Sequence, residues 1–152
     1  MLLANAAATL FMLGLAWFVQ VVHYPLFPLV GEQEFAEYHR VHSSRTTWVV
    51  LPPMTIELLT SFLLLIDPPG GQDVLVAVGA ALALLTWVLT YFAASAHGRI
   101  GSEGLSTVSL RRLLAAGWVR TAAWTAHAVV GLSLIHLSEP TSPICLSGMP
   151  SS

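Results

Sequence analysis

Apolar residues dominate four stretches of this chain, each long enough to cross a hydrocarbon layer of about 30 Å, which takes roughly 20 helical residues at 1.5 Å each. They are residues 2–22, 46–66, 74–96 and 113–132. The polar positions inside and at the ends of these runs recur at helical spacing. Ala16, Gln20 and His23 share a face of the first; Met54, Glu57 and Ser61 share a face of the second. Thr86, Thr90 and His97 lie along the third, and Arg120, Trp124 and His127 along the fourth. Lipid offers such groups no hydrogen-bonding partner, so each stripe is expected to turn inward. The pattern predicts an all-α fold, a polytopic transmembrane four-helix bundle in which residues 1–131 form a single domain.

The connectors set the topology. Asp67-Pro68-Pro69-Gly70-Gly71-Gln72-Asp73 is a tight turn, so the second and third spans are expected to be an antiparallel hairpin. After the breaks at Pro25 and Pro28, residues 32–43 predict a short interfacial helix between spans one and two, with Phe35, His39 and His42 on one face. Pro52-Pro53 is expected to kink the second span just ahead of Glu57. Arg40 and Arg45 lie in the first connector and Arg99, Arg111 and Arg112 in the third, whereas the turn between spans two and three carries only Asp67 and Asp73. The positive-inside rule then puts both long connectors in the cytoplasm and both termini outside, an integral protein of a bacterial inner membrane. No positively charged n-region precedes the first apolar run, which is too long for a signal-peptide core and is expected to persist as a span.

Composition agrees. Of 152 residues only 9% are charged, against about 25% in soluble domains, and the mean hydropathy is +0.74. The net charge of -2 and the scattering of six arginines exclude a nucleic-acid partner; the bilayer is the expected one. The single cysteine, Cys145, excludes a disulfide framework and a thiolate metal site. No phosphate-binding loop, nucleophile elbow, His-Glu-x-x-His helix or dinucleotide fingerprint occurs.

An ionisable side chain within a span costs at least about 2.5 kcal/mol to insert, which makes the few present here candidates for function. Glu57 lies near the midplane of its span and Arg120 about 10 Å deep in the fourth. One reading joins them as a buried ion pair. Another gives them catalytic roles, Glu57 as proton carrier or metal ligand and Arg120 as the anchor of an anionic or quinone-like ligand through its forked donors. Gln20 and Trp124, on the same stripes, are the expected cofactor contacts. His23, His39, His42 and His97 gather near one membrane face, and with Glu57 beneath they offer the imidazole and carboxylate donors expected of iron, copper, zinc or haem. His127, nearer the other face, is expected to be a hydrogen-bonded structural residue.

The segments Gln20-Val21-Val22-His23-Tyr24-Pro25, Tyr38-His39-Arg40-Val41-His42 and Trp118-Val119-Arg120-Thr121-Ala122-Ala123-Trp124-Thr125 resemble those of small uncharacterised bacterial four-span membrane proteins. More loosely, the arrangement is similar to the anthrone-oxygenase-like membrane family, which shares size, four spans and a late Trp/Arg helix. The resemblance covers residues 1 to about 131 and implies oxygenation or another redox step on a hydrophobic aromatic substrate. Alternatives from other classes are a small carrier or proton-linked binding protein, and a structural subunit, alone or in an oligomer, whose Glu-Arg pair fixes helix register. From Leu132 through Thr141 the sequence resembles a translated sequencing-library adapter, so residues 132–152 are expected to be a disordered or artefactual tail.

Overall fold

In a computed structural model, residues 1–104 and 106–138 are described, and they are almost wholly helical, with no strand among them. Four long helices, α1 (Leu2–Phe18), α2 (Glu32–Ile66), α3 (Asp73–Glu103) and α4 (Thr107–Ser138), pack in cyclic order, each against its two neighbours. Three segments, Leu2–Leu29, Gln33–Ile66 and Asp73–Gly98, are long and apolar enough to cross a membrane. Leu3, Leu59, Ile66 and Val74 point outward, more than half exposed, an arrangement that an apolar solvent accommodates and water does not. The polar stripes turn inward as expected: Gln20, His39, Glu57, Ser61, Thr86 and His127 are all buried.

The core has three layers. Tyr24, Phe27, Phe35, Ile100 and Leu113 pack at the end where α1 finishes; Met12, Ala16, Met54 and Trp124 fill the middle; Leu64, Val76 and Leu134 close the opposite end. Gly70 and Gly71 turn the α2–α3 hairpin with φ of 60° and 72°, a left-handed conformation that costs other residues roughly 1–2 kcal/mol. At the head of α4, Ser106 and Ser109 cap each other: the Ser109 amide donates to Ser106 Oγ at 3.1 Å and the Ser106 amide to Ser109 Oγ at 2.9 Å.

Three boundaries differ from expectation. No separate interfacial helix forms, because Ser43-Ser44-Arg45 contains no breaker and α2 runs unbroken through the expected gap and across Pro52-Pro53. At about 52 Å it exceeds a bilayer's apolar thickness, so its first turns project beyond the span. The first span ends in a π-turn, Val19–His23, followed by a 3-10 segment, Tyr24–Leu29. Pro25 and Pro28 lack the amide protons that would continue the helix, and the widened turn re-aims Gln20 and His23. Finally, α4 continues to Ser138, burying Leu134, so the predicted tail is helical over its first seven residues. The remainder, 139–152 with Cys145, lies outside the described residues.

Candidate functional site

The π-turn places His23 and Tyr24 at the end of α1, facing the projecting part of α2. There Phe35, His39 and His42 turn toward the bundle, and α3 brings His97 to meet them. The four imidazoles form two pairs. His23 Nε2 is 3.2 Å from His42 Nδ1, and His39 Nε2 is 3.0 Å from His97 Nδ1. Between them stands Phe27, fully buried, its ring edge-to-face with all four imidazoles at centroid distances of 5.1 to 6.4 Å. The pairs also approach each other directly, with ring centroids 6.3 Å apart for His42 and His97 and 6.5 Å for His39 and His42. Among the described residues no three His, Cys, Asp or Glu side chains form a group that could hold a metal ion.

A hydrogen-bonded chain leads out of the second pair. Arg120 Nη2 donates to Tyr24 Oη at 3.1 Å, and Tyr24 Oη lies 3.0 Å from His97 Nε2. A guanidinium only donates. The phenol can therefore accept from Arg120 and pass its own proton to His97 Nε2, which leaves the His97 proton on Nδ1, directed at His39. With His97 as the Nδ1–H tautomer the donors run in the order Arg120, Tyr24, His97, His39. No carboxylate lies within 4.0 Å of Arg120 among the described residues, so the expected Glu57–Arg120 ion pair does not form.

Glu57 sits deeper and has other partners. Its Oε1 accepts a hydrogen bond from Thr9 at 2.9 Å and lies 2.6 Å from His127 Nδ1. His127 Nδ1 has no hydrogen-bond partner of good geometry among the described residues, so the contact is one of close approach. Asn5 clamps the same level of α2, its Nδ2 donating to the Glu57 carbonyl, Thr60 Oγ1 and Ser61 Oγ at 2.9 to 3.1 Å. The expected carboxylate beneath the four histidines is thus a separate centre.

A cavity of about 960 Å³ opens beside Glu37 and Arg40 and runs inward past His39, His42 and His97 to a floor of Met12, Met54 and Trp124. Arg120 and Tyr24 are in its wall. Glu37 and Arg40 pair at 2.6 Å, but both are largely exposed and the pair contributes little to stability. Of the residues expected around a ligand, Arg120, Trp124, His39, His42 and His97 line the cavity, whereas Gln20, His23 and Glu57 do not. Gln20 instead bridges to α4, its Nε2 donating to the Leu114 carbonyl at 3.1 Å.

Comparison with protein-family models, curated proteins and solved structures finds no match.

Tyr24, Thr9, Asn5 and Phe27 were not among the expected site residues. Asn5 and Thr9 carry a legible signal, since they extend the stripe of Met12 and Ala16 at helical spacing. The central position of Phe27 depends on the π-turn and the 3-10 segment, which the apolar pattern does not encode.

Proposed function

We propose that this chain is a four-span integral membrane protein that binds a hydrophobic, oxygen-bearing small molecule of quinone-like chemistry in the cavity, for a proton-linked or redox step at its imidazole end. One observation carries the reading: the cavity joins an apolar floor to a wall holding a guanidinium with no carboxylate partner among the described residues. Its volume is within the usual 300–1,000 Å³ of ligand pockets. Met12, Met54 and Trp124 suit a ring system, and Arg120, whose only protein hydrogen-bond partner among the described residues is Tyr24 Oη, suits a carbonyl or phenolate oxygen. Tyr24, His97 and His39 then supply a path for the proton that such an oxygen gains or loses.

The fourth span is part of this proposal. Helix α4, about 48 Å long, packs along both α1 and α3 and directs Arg120 inward. Exposed Arg40, Arg45, Arg111 and Arg112 at the cavity end support a cytoplasmic mouth.

Binding is tested with the purified chain in micelles, using a short-tailed benzoquinone as probe and tryptophan quenching as readout. Arg120→Gln is expected to weaken binding by about 10- to 100-fold, the equivalent of one charge-assisted hydrogen bond. Equal affinities in the two proteins would remove the reading.

A metal-dependent enzyme is the second reading. It is favoured by the two nitrogens of His39 and His97, 3.0 Å apart, since two ligands on one metal at 2.0–2.1 Å stand about 2.9–3.4 Å apart. The imidazole donors suit iron, copper or zinc, but as arranged they are two two-nitrogen sets, not one closed site. Copper, iron or zinc retained through purification and lost in His97→Ala would support this reading; metal-free protein would count against it.

A further inference from the structure

The Glu57–His127 contact is not part of the cavity and is not explained by bundle packing alone. Glu57 is 0% exposed and His127 1%. A carboxylate has about four acceptor positions, yet both contacts converge on Oε1, while Oε2 is buried with no hydrogen-bond partner among the described residues. Next to His127, a void of about 10 Å³ reaches Asn5 and Ser61 on one side and the apolar Leu64, Val76 and Leu134 on the other.

The charge environment is equally particular. Around the pair, α1 contributes Asn5 and Thr9 on Glu57, α3 contributes Gly79 beside His127, and α4 contributes His127 with Trp124 stacked on it at a centroid distance of 6.4 Å. His127 is the only titratable group among them. Arg120 lies two turns away along α4 and is engaged with Tyr24. An isolated carboxylate or imidazolium in such an interior would have no counter-charge, whereas Glu57 Oε1 and His127 Nδ1, 2.6 Å apart, are close enough to hold one proton between them. A register-fixing polar pair needs no ionisable members, because an amide and a hydroxyl would suffice. An acid and an imidazole together form a group that can take up and release a proton.

We propose that Glu57 and His127 form a proton-binding centre in the bundle interior, built from α2 and α4, with Thr9 of α1 orienting the carboxylate. It is a site separate from the Tyr24–His97–His39 chain, and its ligand is the proton. The inference goes beyond the cavity reading and does not depend on it.

Infrared difference spectroscopy of the full chain in micelles, titrated from about pH 4 to about pH 10, tests it directly. A protonated carboxyl in an apolar site absorbs at a frequency distinct from exposed carboxyls. The expected result is one such band whose intensity changes with pH, lost in Glu57→Gln, its midpoint moved by about one pH unit or more in His127→Asn. Thr9→Val keeps both titrating groups and is expected to fold, and it should shift the band's frequency by removing the hydroxyl on Oε1. A band that does not change with pH, or one that is unmoved in Thr9→Val, overturns the proposal. Failure of quinone binding would leave the infrared result as it is, so the two readings fail separately.

Discussion

Gly117 on α4 faces Gln20 and Tyr24 across the α1–α4 interface. A Cβ at this position would overlap Gln20 Oε1 and stand 3.1 Å from Gln20 Cδ and 3.2 Å from Tyr24 Cε2. Both neighbours are constrained: Gln20 is 3% exposed and Tyr24 2%, and Gln20 holds the Leu114 carbonyl through its amide. For Gly117→Ala, losing that hydrogen bond costs about 1 kcal/mol, and overpacking a well-filled interface costs about 1–3 kcal/mol. Alanine's better helix propensity returns at most about 1 kcal/mol. The net expectation is a destabilisation of about 1–3 kcal/mol. Displacing Tyr24 should also loosen the Arg120–Tyr24–His97 chain and weaken binding of the benzoquinone probe.

Gly14 on α1 supplies the control, since a Cβ there meets no atom within 4 Å. Gly14→Ala should therefore be neutral or stabilise by up to about 1 kcal/mol. Reversible unfolding in mixed micelles with increasing SDS, followed by tryptophan fluorescence, measures both. A Gly117→Ala protein as stable as wild type, or a Gly14→Ala protein destabilised to the same degree, would refute the packing argument.

Two further outcomes can be read in the same assay. A double-mutant cycle on Glu57→Gln and His127→Asn should give a coupling energy of about 0.5–3 kcal/mol, while Glu57→Gln and Arg120→Gln should add within about 0.5 kcal/mol; coupling confined to the second cycle would contradict the contacts at Glu57. Gly70→Ala should destabilise by about 1–2 kcal/mol, because φ is 60° there, and an unchanged unfolding midpoint would show that the α2–α3 turn tolerates a side chain.

Much of the architecture is legible in the sequence because lipid makes the rule strict. Long apolar runs must be helices, and their polar residues must face one another. Met54, Glu57 and Ser61 behave as that rule requires, and so do Phe35 and His39, both buried on the inner face of α2. The gathering of His23, His39, His42 and His97 at one end follows from their places along antiparallel helices. Helix ends are read less well: an interfacial helix over 32–43 and a span over 46–66 are expected as two elements, but α2 is one continuous helix.

What the sequence by itself determined is the number of long helices, the alternation of their directions, and the level at which each polar residue lies. Only the tertiary structure decided the partners. Glu57 and Arg120 are both expensive to bury, yet the packing sets Glu57 level with Thr9 and His127, two turns along α4 from Arg120, which meets Tyr24 instead. Depth follows from a count of residues at 1.5 Å each, whereas partnership depends on helix rotation and on local departures such as the π-turn. That turn and the 3-10 segment after it bring His23 and Phe27 to the other histidines.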